Sequence, residues 1–300
     1  MAPKHEFTTA ADGTAIAYRR AGRHGGPAVV FTNGYATSDF YWKYLARHFQ
    51  EEATVVTWDL KGHGRSGAAR DLDAVTIPDC ADDLRRVMDA AEVDEAILVG
   101  FSLGCQIVFE AWRQFPDRIR GMVPILGTYG RPFDNFLHPR VGGALYKLFT
   151  ALGPPAAPLI IGGAYVGMRT PMAHWVNQAF GMIGRNVGRT TMQPFYDHFA
   201  LIDPKTWVAM GIAAQRHTAR DILDDIAVPV LVIAGGRDVF TPEQLSFEMR
   251  DRIPDCDLVV LPDATHSGLF EYPEEIIHAV DTFLRAKGLL DVPGARIAAV

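Results

Sequence analysis

One serine stands in a sequence pattern that is typical of a nucleophile. Ser102 lies at the centre of Gly100-Phe101-Ser102-Leu103-Gly104, between an apolar strand pattern and a helix pattern. A G-x-S-x-G turn of this kind forces the serine into a strained backbone conformation, so its hydroxyl projects above the sheet edge. The short pattern also occurs by chance, but the strand before it and the helix after it favour a nucleophile.

Two further polar side chains follow predicted strands near the end of the chain. Asp238 comes after the apolar pattern 228–234, and His266 lies in the loop after the pattern 258–262. The carboxyl ends of parallel strands meet at one sheet edge, where α/β folds place their sites. We therefore expect Asp238 to orient His266, and His266 to act as the general base for Ser102 in acyl transfer.

Both assignments have alternatives at this point. Asp238 belongs to a residue type that is common in ordinary turns. The chain has ten histidines, and His217 is the second candidate for the general base because it lies near the end of the central helical region. His63 is predicted to be a loop residue.

The elements that must position these residues follow an alternating order. A hairpin pattern spans 7–19 with a turn at Asp12-Gly13, and helix patterns separate most of the later apolar strands. Short continuous apolar runs are typical of parallel strands that are buried on both faces. The predicted fold class is α/β, with a mostly parallel sheet and helices on both faces; its apolar strands are predicted at 27–32, 54–58, 96–99, 119–126, 228–234 and 258–262.

The strand–helix alternation stops in the middle of the chain. Residues 128–221 are rich in Gly, Pro, Met and aromatic residues, with helix patterns around 142–152, 173–183, 191–199 and 207–218. We interpret this stretch as an inserted helical cap that shapes an apolar pocket, and we assign residues 1–127 and 222–300 to the core.

The apolar run Ala156–Met168 within this cap raises the question of lipid contact. It is shorter than a spanning segment and is interrupted by Pro and Gly, so it predicts pocket lining or a buried helix first and lipid contact second. We expect no membrane span.

Composition excludes several classes of partner. The formal net charge of −6 and the lack of a Lys/Arg-rich run argue against nucleic acid, which requires phosphate neutralisation. Cys80, Cys105 and Cys256 form no C-x-x-C pair, so neither a disulfide framework nor a zinc site is indicated. No apolar signal region begins the chain, and a cytoplasmic protein is the simplest expectation. The residues after Lys287 are predicted to form a loosely held tail.

Three glycines imitate a dinucleotide-binding motif. Gly62, Gly64 and Gly67 satisfy G-x-G-x-x-G, and Asp82 follows at about the expected distance. A dinucleotide loop must open directly into a helix, whereas helical periodicity here resumes only near Ile77. The pattern therefore favours a loop of another kind.

The chain from Phe7 to Lys287 resembles the α/β-hydrolase superfamily. The chain order serine, aspartate, histidine is that of this superfamily and differs from the orders in serine proteases. The motifs that carry the resemblance are Asn33-Gly34-Tyr35, Asp59-x-x-Gly62-x-Gly64-x-Ser66, Gly100-Phe101-Ser102-Leu103-Gly104, Gly235-Gly236-Arg237-Asp238 and Thr265-His266.

The resemblance implies an α/β-hydrolase fold and a serine hydrolase that cleaves a small apolar carboxylic ester or lactone through an acyl-enzyme. It implies backbone N–H groups of Tyr35 and Leu103 as the oxyanion hole and requires no metal or organic cofactor. Ser102 in place of an aspartate speaks against haloalkane dehalogenases and epoxide hydrolases. Three alternatives remain: a cofactor-free perhydrolase, a C–C bond hydrolase, or a non-enzymatic receptor of the same fold that senses a small ligand.

Overall fold

The computed structural model describes residues 4–135 and 139–290 of the chain, and in them one eight-stranded sheet forms the centre of the molecule. The strands are β1 Glu6–Thr9, β2 Ala15–Gly22, β3 Ala28–Thr32, β4 Thr54–Trp58, β5 Ala96–Phe101, β6 Ile119–Ile125, β7 Val230–Gly235 and β8 Cys256–Leu261.

The sheet is antiparallel at one edge and parallel elsewhere. Its order is β1-β2-β4-β3-β5-β6-β7-β8; β2 pairs antiparallel with β1 and β4, and all later pairs are parallel. Every residue of β3, β4, β5 and β7 is buried, which explains why these strands are continuous apolar runs. The predicted α/β class and the hairpin at the amino terminus are confirmed.

Helices cover both faces of the sheet. One face packs against residues such as Leu84 and Val108, and the other against residues such as Phe49 and Val280. The helices are α1 Lys43–Phe49, α2 Ile77–Ala90, α3 Leu103–Gln114, α4 Pro132–Asn135, α5 Pro139–Met168, α6 Pro171–Ala179, α7 Arg189–His198, α8 Pro204–Arg216, α9 Glu243–Arg252, α10 Gly268–Glu271 and α11 Pro273–Ala286.

The chain between β6 and β7 contains α4 to α8 and no strand among its described residues. Here one prediction was wrong. The helix pattern 142–152 and the run Ala156–Met168 form a single helix, α5, of 30 residues that passes through Pro154, Pro155 and Pro158. The run was also predicted to be buried, whereas much of α5 is exposed.

By length and composition, α5 meets the requirements of a membrane span. Arg140–Met168 is the one such helix among the described residues, and only 17 % of its most apolar window is buried. A core helix of a soluble protein would be mostly buried. The run Ala156–Met168 is thus part of a longer apolar helix, and one such helix is weak evidence of a span.

The carboxyl-terminal segment begins in contact with the core. Leu289 is buried, and a Cβ added to Gly121 would lie 2.7 Å from its Cδ1 atom. The loose tail predicted after Lys287 is thus wrong for residues 288–290, and residues 291–300 lie outside the described part of the chain.

Candidate active site

Ser102 occupies the sharp corner between β5 and α3. Its backbone has φ 54° and ψ −117°, a left-handed conformation that only a few non-glycine residues adopt. The Ser102 N–H donates to the carbonyl oxygen of Ile125 over 3.1 Å, which fixes the corner to the neighbouring strand. A Cβ at Gly104 would overlap the carbonyl oxygen of Thr32, and one at Gly100 would lie 2.6 Å from that of Gly104. The glycines therefore permit the close passage of helix and strand.

The structure brings the three predicted polar side chains together in a hydrogen-bonded chain. The Nε2 atom of His266 lies 2.9 Å from Oγ of Ser102, and its Nδ1 atom lies 2.7 Å from Oδ2 of Asp238. Ser102 follows β5, Asp238 follows β7 and His266 follows β8. The parallel strands deliver all three to one edge of the sheet.

Asp238 is buried and its carboxylate is held by several donors. Its Oδ1 atom accepts from the backbone N–H groups of Phe240 at 2.8 Å and Thr241 at 3.1 Å, and its Oδ2 atom accepts from the Thr241 hydroxyl at 2.7 Å. The sequence Thr241-Pro242-Glu243 has the composition of a helix start at which the threonine would act as the cap. The helix instead begins at Glu243 without a side-chain cap, and the Thr241 hydroxyl serves the carboxylate.

The loop after β3 lies directly against the nucleophile corner. A Cβ at Gly34 would be 2.8 Å from Cδ1 of Phe101 and 3.0 Å from Cβ of Ser102. Tyr35 and Leu103 line the same cavity as Ser102. Because Leu103 is the first residue of α3, its N–H has no partner inside the helix.

His63 was predicted to be an ordinary loop residue, but its ring forms a hydrogen bond with the backbone of the loop after β3. Its Nε2 atom accepts from the N–H of Ala36 over 3.2 Å, and its Nδ1 atom donates to the carbonyl oxygen of Lys61 over 2.9 Å. Burial lowers the pKa of His63 to about 4, so the ring is neutral as these bonds require. Its position inside the Asp59–Ser66 motif was the only signal in the sequence.

The other residues of the Asp59–Ser66 motif stabilise the turn in which they lie. The Asp59 carboxylate accepts from the N–H of Arg65 over 3.0 Å, and a Cβ at Gly64 would overlap that carboxylate. Burial raises the pKa of Asp59 to about 7. The Ser66 hydroxyl donates to the Asp59 carbonyl and accepts from the N–H of Ala17, tying the turn to β2. The next helix begins only at Ile77, as predicted.

His217, the second candidate for the general base, lies elsewhere. Its Nδ1 atom is 3.2 Å from Oε1 of Gln106, and its Nε2 atom is 3.0 Å from Oε2 of Glu110. It lines a separate cavity of about 850 Å³ between α8 and the start of α2. None of the three residues in the hydrogen-bonded chain borders that cavity.

A cavity of about 310 Å³ lies above Ser102 and His266. The core and the helical segment between β6 and β7 both contribute to its lining, which is dominated by aromatic and aliphatic side chains with a few hydroxyl and amide groups. The principal apolar lining residues are Tyr35, Tyr41, Phe101, Leu103, Phe133, Met182, Ile183, Phe195, Ala214 and Phe240. This composition suits an apolar group next to a polar reacting centre.

Cys105, directly after the nucleophile corner, is a packing residue. It is fully buried, its thiol lies 3.3 Å from the carbonyl oxygen of Gly100, and burial raises its pKa well above the ordinary value. Among the described residues, no group of three or more His, Cys, Asp or Glu side chains is arranged to hold a metal ion.

Comparison with known proteins matches two segments of the chain to described families. Residues 24–141 match the family described as alpha/beta hydrolase fold, and residues 194–295 match one described as TAP-like protein. The chain belongs to the α/β-hydrolase superfamily. The first matched segment contains Ser102, and the second contains both Asp238 and His266.

Relatives of this α/β hydrolase include enzymes named for lactones and esters. It is 24 % identical to the 3-oxoadipate enol-lactonase 1 of Acinetobacter baylyi, over 91 % of this chain and 94 % of the relative. It is 26 % identical to the pimeloyl-[acyl-carrier protein] methyl ester esterase of Neisseria meningitidis, over 79 % and 70 %. An esterase structure from Exiguobacterium antarcticum shares the fold, with a TM-score of 0.75 and 18 % identity over 94 % of this chain and 100 % of that one.

Proposed function

We propose that this protein is a serine hydrolase that cleaves small apolar carboxylic esters or lactones through an acyl-enzyme. The observation that carries the proposal is the hydrogen-bonded chain from Ser102 through His266 to Asp238 at the floor of an apolar cavity. The ester and lactone chemistry named for its relatives supports the substrate class.

The proposed reaction has two halves. His266 takes the hydroxyl proton of Ser102 at Nε2 as the oxygen attacks the ester carbonyl, and Asp238 stabilises the imidazolium through Nδ1. His266 then returns the proton to the leaving alcohol, and an acyl-enzyme remains. In the second half His266 activates water, which attacks the acyl carbonyl and regenerates the Ser102 hydroxyl. These steps require no cofactor.

The oxyanion that forms in each half needs fixed donors. We assign this role to the backbone N–H groups of Tyr35 and Leu103, which belong to the loop and the helix start on either side of Ser102. Preorganised donors of this kind are usually the largest single contribution to catalysis. His63 acts as a positioning residue, since it holds the N–H of Ala36 next to Tyr35.

We further propose that residues 128–221 form a cap over the core residues 1–127 and 222–300. Phe133, Met182, Ile183 and Phe195 from this segment border the cavity above Ser102. The cap therefore determines which acyl groups fit. A cytoplasmic location is also part of the proposal, because the three cysteines are all free thiols.

Hydrolysis of p-nitrophenyl esters tests the function. The wild-type protein should release nitrophenolate, and Ser102→Ala should reduce the rate to the uncatalysed background while remaining folded by circular dichroism. Gln114→Ala, at the exposed end of the same helix and away from the cavity, serves as the matched control and should retain turnover. Ligand binding without turnover in the wild type would contradict the hydrolase and favour a receptor.

A further inference from the structure

One face of α5 is apolar and exposed along nearly the whole helix. Its exposed side chains are spaced three, four or seven residues apart, which places them on one side of a helix. We call this set the α5 stripe; it consists of Val141, Leu145, Leu148, Leu152, Leu159 and Val166. Leu159 is 80 % exposed, and Leu148 and Leu152 are each 55 % exposed. Contiguous apolar surface of this extent marks an interaction site.

The helix that follows adds more exposed apolar side chains. In α6, Met172 is 70 % exposed and Trp175 is 67 % exposed. Tryptophan is typical of protein surfaces that meet the boundary between lipid and water, because its ring is apolar and its N–H is polar.

Charge in this part of the chain has one sign. Residues 135–196 contain five Arg or Lys residues and no Asp or Glu, so this segment has a formal charge of +5. The whole chain has a formal charge of −6, and the remaining residues therefore carry −11. The five cations are Arg140, Lys147, Arg169, Arg185 and Arg189. Arg140 and Lys147 lie in α5 and Arg169 follows it directly, so the helix that carries the α5 stripe is complementary to a negatively charged partner.

We propose that the α5 stripe docks on an anionic lipid surface, with α5 lying in the plane of the interface. A helix with an apolar face and flanking Lys and Arg residues binds such surfaces by burying the apolar face and attracting the headgroups. A second copy of this chain fits less well, because the cations flanking one stripe would face the same cations of the other. The proposal does not rest on the proposed reaction.

Two features distinguish lying on the membrane from spanning it. The opposite side of α5 packs against α8: the Phe149 and Trp207 rings are 5.6 Å apart, and a Cβ at Gly153 would lie 3.2 Å from Val208. In addition, Pro154, Pro155 and Pro158 supply no N–H groups, so three carbonyl oxygens inside the helix lack their usual donors. In hydrocarbon such groups need donors from neighbouring parts of the protein, whereas at an interface water can reach them.

Co-sedimentation with lipid vesicles tests the proposal on the full chain. Vesicles of phosphatidylcholine mixed with phosphatidylglycerol should bind the protein, vesicles of phosphatidylcholine alone should bind it weakly, and high salt should release it. The triple variant Leu148→Ser, Leu152→Ser, Leu159→Ser should bind about a hundredfold more weakly, because it removes three large apolar side chains from the contact. Phe7→Ser, which changes a 58 % exposed side chain of β1, is the matched control and should bind normally.

Charge variants give a second, independent readout. Lys147→Gln and Arg169→Gln should each weaken binding to the mixed vesicles about fivefold at low salt and leave binding to neutral vesicles unchanged. None of these positions borders the cavity above Ser102, so hydrolysis of a water-soluble ester should be unaffected in every variant.

Three results would overturn the proposal. The first is failure to bind the mixed vesicles, and the second is equal binding to charged and neutral vesicles. The third is a concentration-dependent dimer of the wild type that the triple variant abolishes in analytical ultracentrifugation, which would assign the α5 stripe to a second copy. Loss of ester hydrolysis by the wild type, in contrast, would concern only the proposed function.

Discussion

Replacement of Asp238 by Asn keeps the shape of the side chain and removes its charge, and the surroundings determine how the new amide must sit. Oδ1 accepts from the backbone N–H groups of Phe240 and Thr241, which cannot turn away. The amide oxygen of Asn must therefore occupy this place. Its NH₂ group then faces Nδ1 of His266, where the carboxylate previously accepted a hydrogen bond from the Nδ1–H group.

The expected loss follows from the tautomer that this amide imposes. An NH₂ donor requires Nδ1 of His266 to accept, so the ring proton moves to Nε2, which can no longer take the proton of Ser102. In a serine–histidine–aspartate arrangement this wrong tautomer lowers kcat about 10⁴-fold. That factor corresponds to about 5 kcal/mol of transition-state free energy.

Thr241→Val provides the graded comparison. It removes one hydrogen bond to the carboxylate oxygen Oδ2 and leaves the charge and both backbone donors in place. The expected loss of about 2 kcal/mol, the usual size for a hydrogen bond to a charged group, corresponds to a roughly thirtyfold lower kcat.

The assay is steady-state hydrolysis of p-nitrophenyl butyrate, with kcat and KM determined separately and folding checked by circular dichroism and thermal unfolding. KM should change little, because Asp238 does not border the cavity that holds the acyl group. A folded Asp238→Asn protein whose kcat remains within about tenfold of wild type would refute the orienting role that we assign to Asp238.

Three other predictions concern the oxyanion loop, pH and the cavity. Gly34→Ala should lower kcat about a hundredfold, since its Cβ would press on Phe101 and Ser102 and displace the loop. Gly143→Ala is the control and should leave kcat unchanged, because its Cβ would meet nothing within 4 Å. An unchanged kcat in Gly34→Ala, or an equal loss in Gly143→Ala, would count against the role of the loop. The pKa of His63 is about 4 in the folded protein and about 6.5 in the unfolded chain. The neutral His63 ring therefore contributes fully to the free energy of unfolding above about pH 6.5, and this contribution falls by about 3 kcal/mol as the pH decreases towards about 4. His63→Gln keeps one donor and one acceptor, and urea unfolding at both pH values should show a smaller acid-induced loss than in wild type; equal losses would exclude His63 as the cause. Finally, the apolar cavity predicts faster hydrolysis of medium-chain nitrophenyl esters than of the acetate, and a steady decrease in kcat/KM from acetate upward would falsify this preference.

The sheet and the reacting side chains were accessible from the sequence because their determinants are local. Runs such as 96–99 and 228–234 are apolar throughout since both sheet faces are covered, and each strand pattern therefore stands out. Where such strands are parallel, the residues after them must converge at one edge. That argument alone brings Ser102, Asp238 and His266 together without any knowledge of loop conformations.

The supporting side chains were missed because their partners are distant in sequence or unexpected in type. His63 bonds to Ala36 from the loop of another strand, and no pattern around residue 63 encodes that contact. Thr241 before Pro242 has the composition of a helix cap, yet its hydroxyl donates a hydrogen bond to the buried carboxylate of Asp238. In both cases a tertiary contact determines a role that local propensity cannot predict.

The long helix was misjudged for a related reason. Pro154, Pro155 and Pro158 oppose helix formation locally, but α5 packs along α8, and those tertiary contacts offset the lost hydrogen bonds. The exposure of its apolar side chains could not be inferred either, because hydropathy alone does not distinguish a core-facing side from an unpaired one.

The left-handed backbone conformation of Ser102 serves the reaction and lowers the folding stability at the same position. Holding a serine at φ 54° costs about 1–3 kcal/mol, which glycine would not incur. A Ser102→Gly chain should consequently resist heat better than its parent while hydrolysing nothing. Loss of the serine side chain would therefore increase the folding stability of this corner, and only a continued need for the reaction would keep the hydroxyl in place.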